Sequence, residues 1–510
     1  MTSQAQTLSM QSLWLDRTQA TPGFLRPQVV ADQFQAGRQF DIVVAGAGLT
    51  GLTTALLFAR AGRSVAVIEA RKIGAVTTGN TTAKLSLLQG ARLSDILRHH
   101  TLRVGRAYVE ANREGMEWLL RYCADHGIPT QRRDAYSYAG TPSGRTLVER
   151  EVRAARRLGL DVTLTTADEL PFPTYGAARL ANQAQVNPMD VLAELAADVQ
   201  AHGGVIYEET RLTGARVSHP TAMVATSNGE LRAGRLILAT GIPVLDRGLY
   251  FAKVVPQRSY AMAFTVPGPV PDGMYLSVDA PTRSLRTAPV EDGERLLVGG
   301  NGHIGGRSHS PRAAIDDLQR WTQKNFPGAE RTHAWSAQDY EPVGRIPYVG
   351  WLPRGRGRIF LATGYDKWGM CNAVAASLTL SADILGGHQP WAQTLHHRVT
   401  SLPDVGSLIG ANAAVVYHLA RGYWKALTSP APTSLPESAG AVSHDGLRPI
   451  GFCRVDGELH KVSAVCTHLG GVLSWNDAEN SWDCPLHGSR FTATGTRLEG
   501  PALRDLKPLS

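Results

Sequence analysis

The sequence predicts an α/β body followed by a small all-β unit, and two stretches carry that prediction. Across residues 41–70 a β-prone run, a glycine turn, a helical stretch and a second β-prone run follow one another as in a βαβ unit. From about residue 435 to the end, short β-prone stretches such as 449–455 and 460–465 alternate with the turns Asp445-Gly446 and Asp456-Gly457. The 510 residues leave room for about three domains.

Composition removes several classes of function. A hydrophobic share of 43% with 52 Gly and 29 Pro suits compact units and excludes a fibre, a coiled coil or a disulfide mini-protein. Lys and Arg outnumber Asp and Glu by 52 to 44, a net charge of +8, but the excess is spread thinly. Its densest cluster, Arg153, Arg156 and Arg157, sits at helical spacing as one solvated face, so no nucleic-acid partner is expected. Cys123, Cys371, Cys453, Cys466 and Cys484 form no stapling framework, which points to a reducing compartment. No apolar run precedes the first basic residue, Arg17, so an export leader is not expected and a cytoplasmic location is. The long uncharged run 42–59 is broken by Gly46, Gly48 and Gly51, and no membrane span is expected.

The βαβ stretch has the chemistry of a dinucleotide site. Residues 42–45 are short and β-prone, Leu52, Ala55, Leu56 and Ala59 recur at helical spacing, Gly62 ends the helix, and residues 65–68 lead into Glu69. Gly46 permits the tight turn, Gly48 lets a pyrophosphate approach the backbone, and Gly51 lets helix and strand pack closely. Leu49 and Thr50 open the helix, whose unpaired N–H groups favour phosphate, and Glu69 can accept from a ribose diol. These features do not choose between FAD and NAD.

Three later segments add to the fingerprint: Thr240-Gly241 after the strand 235–239, AQVNP at 184–188 before a helix running to His202, and RIFLATGYDKWGM at 358–370. In this order they resemble the FAD-dependent oxidoreductases of the D-amino acid oxidase and glycine oxidase family, over roughly residues 39–390. The resemblance implies a Rossmann-type FAD-binding domain interleaved with an α+β substrate domain over 39–395, preceded by an N-terminal extension, 1–38. FAD would lie extended, its pyrophosphate on the 46–51 turn and its ribose at Glu69. Thr78, Asn80, Thr81 and Thr82 would stand beside phosphates and flavin ring, although Thr81 and Thr82 also suit ordinary helix capping. Gly364 and Gly369 would lead into a helix starting near Met370 that aims its N-terminus at the flavin. Lys84, Tyr340, Lys367 and Trp368 are the catalytic candidates: a lysine to stabilise developing negative charge and aromatic walls to clamp a flat substrate.

A second signal lies near the C-terminus, where Cys466-Thr467-His468 and Cys484-Pro485-Leu486-His487 alternate Cys and His. A zinc finger keeps its cysteines together, and a zinc site on these four residues is the weaker alternative. The order matches a Rieske [2Fe–2S] centre, with Cys466 and Cys484 on one iron and His468 and His487 on the other. Trp475 and Trp482 between the halves read as core. The stretch 435–510, including its ending LEGPALRDL, resembles Rieske domains throughout. It differs from the quinol-oxidising subgroup, which the resemblance would give an extra Cys in each loop and a Tyr near the cluster. Gly471, Leu486 and Phe491 stand there instead, while Ser489 is kept. Fewer hydrogen bonds to the cluster sulfurs imply a lower potential.

Between the modules, residues 396–434 read as a helix followed by a proline-stiffened linker, with Val405, Leu408, Ile409, Val416, Leu419, Ala420, Tyr423 and Leu427 on one face for docking between domains. FAD plus one [2Fe–2S] cluster makes a converter between two-electron and one-electron chemistry. The expected reaction is dehydrogenation of a small organic substrate, with electrons passed to a soluble one-electron acceptor protein. The alternatives are reverse flow, with a donor protein feeding the flavin through the cluster, and a redox shuttle or sensor without organic substrate. Relatives that take amino acids place an Arg before D-G-x-P, whereas QDYEPVGRIP has Asp339 and Gly344 there. That points away from a simple amino acid and toward a cationic or neutral substrate such as an amine. The cluster domain is expected to dock, on this chain or a neighbour, with its His-bound iron exposed. The sequence leaves the oligomeric state open.

Overall fold

A computed structural model describes residues 10–509 apart from 17 and 19. The expected absence of an export leader concerns a segment largely outside the described residues. The strand Gln39–Ala45 pairs in parallel with Val65–Ile68 on one side and Gly229–Leu238 on the other. They sit in an eight-stranded sheet whose main path runs Tyr348–Trp351, Ile359–Thr363, Gly229–Leu238, Gln39–Ala45, Val65–Ile68 and Val205–Tyr207. The helix Leu49–Arg60 buries Leu52, Ala55 and Leu56 in the same core as Val374 and Leu380 of the helix Gly369–Leu385. Apolar positions at helical spacing meet a sheet of continuous apolar runs, as a parallel sheet covered by helices requires.

A second, nine-stranded sheet is mostly antiparallel and carries the long strands Val254–Thr265, Gly293–Ile304 and Glu330–Pro342. Its strands come from widely separated parts of the chain, so the dinucleotide and sheet regions interleave. The N-terminal segment packs on this body: Trp14 is buried and donates from Nε1 to the Thr81 carbonyl at 2.7 Å, and Arg26 pairs with Asp190.

The last 70 residues form two small antiparallel sheets, Gly440–Asp445, Arg448–Val455 and Glu458–Ser463 in one, and Ser474–Asn476, Ser481–Asp483, Arg490–Thr492 and Arg497–Glu499 in the other. Trp482 is fully buried against Trp475, in the core role that the sequence suggested.

The helix Leu402–Thr428 corrects one expectation. Val415 and Leu419 pack on the C-terminal core, Tyr423 donates to the Gly470 carbonyl, and Asn412 donates to the Ala252 carbonyl. Val405, Ile409, Val416 and Ala420, placed on the same face from sequence, turn outward. A 27-residue helix held between two rounded bodies is touched along a narrow strip, so the broad stripe divides. His99 Nδ1 meets Asp404 at 2.8 Å and ties this helix to the body. Among the described residues no single helix is long and apolar enough to cross a membrane.

Candidate functional site

A cavity of about 410 Å³ opens along the carboxyl ends of the parallel strands and runs under the large sheet. Gly46, Gly48, Leu49, Thr50, Glu69, Thr78, Asn80, Thr81, Thr82, Thr240, Gly241 and Gly369 all line it. The helix Leu49–Arg60 begins without a side-chain cap, and the Leu49 N–H reaches only the Thr78 hydroxyl at 3.2 Å. Such an open N-terminus suits an anion. A Cβ on Gly48 would lie 3.0 Å from Thr78 Oγ1, and one on Gly51 would strike the Gly46 carbonyl oxygen at 1.8 Å. Gly51 therefore stands behind the cavity wall as the contact between helix and strand. Glu69 accepts from the Ala47 and Arg71 N–H groups at 2.9 and 2.8 Å, while burial raises its pKa.

Gly364 does not belong with these residues. It sits at φ +83°, a turn conformation that disfavours a side chain, and a Cβ there would meet Pro342 at 3.2 Å, not the cavity. The neighbouring Thr78–Thr82 loop is pinned from outside, since Trp335 donates to the Asn80 carbonyl and Arg286 to those of Thr82 and Ala83. Thr81 also accepts from the Ala83 N–H, the local turn role that competes with a ligand role.

The four catalytic candidates are brought together in the same wall. Lys84 is buried and donates from Nζ to the Tyr275 carbonyl and the Ser284 hydroxyl, both at 2.7 Å. Burial, reinforced by Arg286, drives its pKa far down, toward the neutral amine. Tyr340 packs against Gly241, and Gln338 Nε2 donates to its hydroxyl at 3.0 Å. Lys367 gives its N–H to Asp339, and Trp368 caps the helix Gly369–Leu385. Burial pushes the Asp339 carboxyl up to about 6 against the pull of its two N–H donors. Tyr260 and Ser284 also line the cavity but stand in no local motif, and strand pairing alone brings them there, whereas Tyr365 belongs to the 358–370 segment and its hydroxyl meets that of Thr50.

The second site is built from two tight loops. The Cys466 and Gly471 backbones pair at 2.8 Å, as do those of Cys484 and Ser489, with Gly470 and Gly488 at positive φ closing the turns. The loops bring the histidine rings to 5.1 Å between centroids, and both Nδ1 atoms are buried without a partner. All five cysteines are free and buried. Among the described residues no three His, Cys, Asp or Glu side chains converge on a single ion. A cysteine pair and a histidine pair held apart, with orphaned nitrogens between the loops, fit a two-iron cluster better than zinc.

This second site is largely covered, His487 buried and His468 half-buried. Phe251 stands edge-on to both His468 and His487, at 5.0 and 4.8 Å. His487 retains 3% of its exposure, which corrects the expected open iron edge. Arg258 of the large sheet is buried in an ion pair with Glu479, Arg307 donates to the Pro485 carbonyl at 2.9 Å, and Gln338 Nε2 donates to the Gly488 carbonyl at 2.8 Å. The loops thus dock on the same chain because the complementary charges and apolar cover lie on the strands Val254–Thr265 and Glu330–Pro342 and the segment 250–252.

The family model of FAD-dependent oxidoreductases matches residues 41–382, and that of the Rieske [2Fe-2S] domain matches residues 436–510. The chain belongs to the FAD-dependent oxidoreductases and carries a C-terminal Rieske domain. A Bacillus subtilis (strain 168) protein described as a Rieske 2Fe-2S iron-sulfur protein, YhfW, is 31% identical over 479 residues, covering 93% of this chain and 94% of its own. The cytochrome b6-f complex iron-sulfur subunit of Synechococcus sp. (strain JA-3-3Ab) is 37% identical over 107 residues, 21% of this chain and 51% of that subunit. Glycine oxidase from Geobacillus kaustophilus superposes with a TM-score of 0.59 at 18% identity, over 69% of this chain and 96% of its own. L-Proline dehydrogenase from P. horikoshii gives 0.58 at 16%, over 70% and 96%. These likenesses show the shared fold. The chain binds FAD and one [2Fe–2S] cluster, as its two families do.

Proposed function

We propose that this oxidoreductase dehydrogenates a small organic substrate, in the first instance an amine, and passes the electrons singly to a one-electron acceptor protein. When bound, the flavin supplies two-electron chemistry and the cluster one-electron chemistry. The observation that carries the reading is the side chain of Gln338, which touches Tyr340 in the cavity wall and Gly488 beside the cluster ligand His487. Gly46, Gly48, Leu49 and Thr50 hold the pyrophosphate, Thr240 and Gly241 border it, and Glu69 takes the ribose. Thr78, Asn80, Thr81, Thr82 and Gly369 border the remainder of the dinucleotide, and Cys466, His468, Cys484 and His487 bind the irons.

For the substrate, Asp339 offers a carboxylate above about pH 6 where amino-acid-specific relatives would place an Arg, which favours a cation. Burial shifts Lys84 toward the amine form that can take the substrate's proton, while Lys367 and the aromatic rings of Tyr340 and Trp368 bound the space. An acceptor protein reaches the cluster beside Leu469, which is 48% exposed next to His468. The domain division follows from these roles: an N-terminal extension over 1–38, the oxidoreductase over 39–395, a helix and linker over 396–434, and the Rieske domain over 435–510.

The test is anaerobic bleaching of the flavin by a panel of amines, hydroxy acids and reduced pyridine nucleotides. Bleaching by an amine, with loss of rate in Lys84→Met and an altered pH profile in Asp339→Asn, is expected. Bleaching only by reduced pyridine nucleotide, or reduction of the cluster first by an external reductase, contradicts the reading and supports the reverse current.

A further inference from the structure

The cavity that takes FAD is not lined by the oxidoreductase body alone. Arg497, Leu498, Glu499, Gly500 and Ala502, all in the C-terminal domain, form part of its wall. Arg497 and Leu498 stand beside the end marked by Glu69, which accepts from the Arg71 N–H and where a βαβ site holds the adenosine ribose. Two arginines of the body reach across: Arg71 Nη2 donates to the Leu498 carbonyl at 2.5 Å, and Arg211 Nη2 lies 3.5 Å from that of Arg497. A Cβ on Gly500 would already lie 3.1 Å from Val244, so the segment is seated closely. Arg497 is 8% exposed and gives Nη1 to the Ala502 carbonyl, yet its Nε is buried with no partner among the described residues. A buried donor without an acceptor is costly unless something completes it.

We propose that the Rieske domain is a structural part of the FAD site: its segment 497–502 closes the adenosine end, and Arg497 donates into it. Dinucleotide binding and domain docking then share one equilibrium. FAD strengthens docking, and docking strengthens FAD binding by the same factor. The inference holds whichever way electrons run, because it concerns retention of the cofactor.

The experiment titrates full-length protein, stripped of flavin with its cluster retained, with FAD and follows quenching of flavin fluorescence. Arg497→Met removes the donor and keeps the stem. Gly306→Leu acts from a distance: Gly306 does not line the cavity, and a Cβ there would meet the Pro485 nitrogen at 2.7 Å, wedging the second cluster loop away. Both variants are expected to raise the Kd for FAD at least tenfold. A Kd within twofold of wild type in Arg497→Met, or in a Gly306→Leu chain that keeps its cluster absorbance, overturns the proposal. Hydrogen exchange of residues 497–502 in the unsubstituted chain supplies a reading that requires no variant to fold. FAD is expected to slow exchange there at least tenfold, and unchanged exchange also overturns the proposal.

Discussion

Phe251 of the oxidoreductase body stands edge-on to His487, with ring centroids 4.8 Å apart and planes at 78°. The ligand expected at an open iron edge is here covered by an aromatic ring of the same chain. An edge-to-face pair contributes about 0.5–1.5 kcal/mol beyond the area that it buries. Phe251→Ala is expected to loosen docking without unfolding either part. Hydrogen exchange should speed up in 466–471 and 484–489 while the strands 39–45 and 65–68 stay protected.

Arg258 and Glu479 make a buried ionic contact across the same junction, 2.5 Å apart, with Arg490 beside Glu479. Burial alone would raise the Glu479 pKa, but Arg258 and Arg490 overcome it and hold the carboxyl at about 2. A depressed acid stabilises the docked state above its ordinary value near 4.5 and loses that contribution as pH falls through about 2. Docking should therefore be flat from pH 5 upward and weaken below about pH 4. Removing one partner of a buried pair costs about 3–5 kcal/mol, so Glu479→Gln should loosen docking already at pH 7. Small-angle scattering against pH, on wild type and variant, checks both outcomes.

The cluster potential should fall in the lower part of the roughly −150 to +300 mV range of Rieske centres. Gly471, Leu486 and the buried Phe491 supply neither a loop disulfide nor a tyrosine hydroxyl, which leaves Ser489 as the side-chain donor near Cys466. A potentiometric titration followed by EPR measures it. A midpoint near the top of the range would mean that burial under Phe251 outweighs the missing donors.

Gly48→Val should abolish FAD retention and leave the cluster intact, because even the first carbon of a side chain comes within 3.0 Å of Thr78 Oγ1. Flavin and iron contents of the purified protein decide the matter. Loss of both together would contradict separate sites and point to misfolding.

How much of this was legible in the sequence depended on whether the signal was local. Gly46, Gly48, Gly51 and Glu69 lie within one βαβ unit, and Cys466, His468, Cys484 and His487 in two short loops, so spacing alone carried them. Gly364 misled because a glycine needed for its positive φ looks the same in sequence as one needed for close approach to a ligand. Tyr260, Ser284 and Arg497 left no trace, since pairing of distant strands and docking of the C-terminal domain bring them to the cavity. The helix Leu402–Thr428 showed its apolar positions but not which of them a narrow contact would cover. The burial of His487 was invisible for the same reason: its cover, Phe251, lies more than two hundred residues away.

If the proposed function holds, cavity and cluster form one electron-transfer unit within a single chain. The most direct measurement is anaerobic photoreduction of the flavin without substrate, following flavin and cluster absorbance at several protein concentrations. Cluster reduction is expected to be a first-order process whose rate does not change with protein concentration and falls in Gln338→Leu. A cluster that stays oxidised beside fully reduced flavin, or a rate proportional to protein concentration, would contradict it.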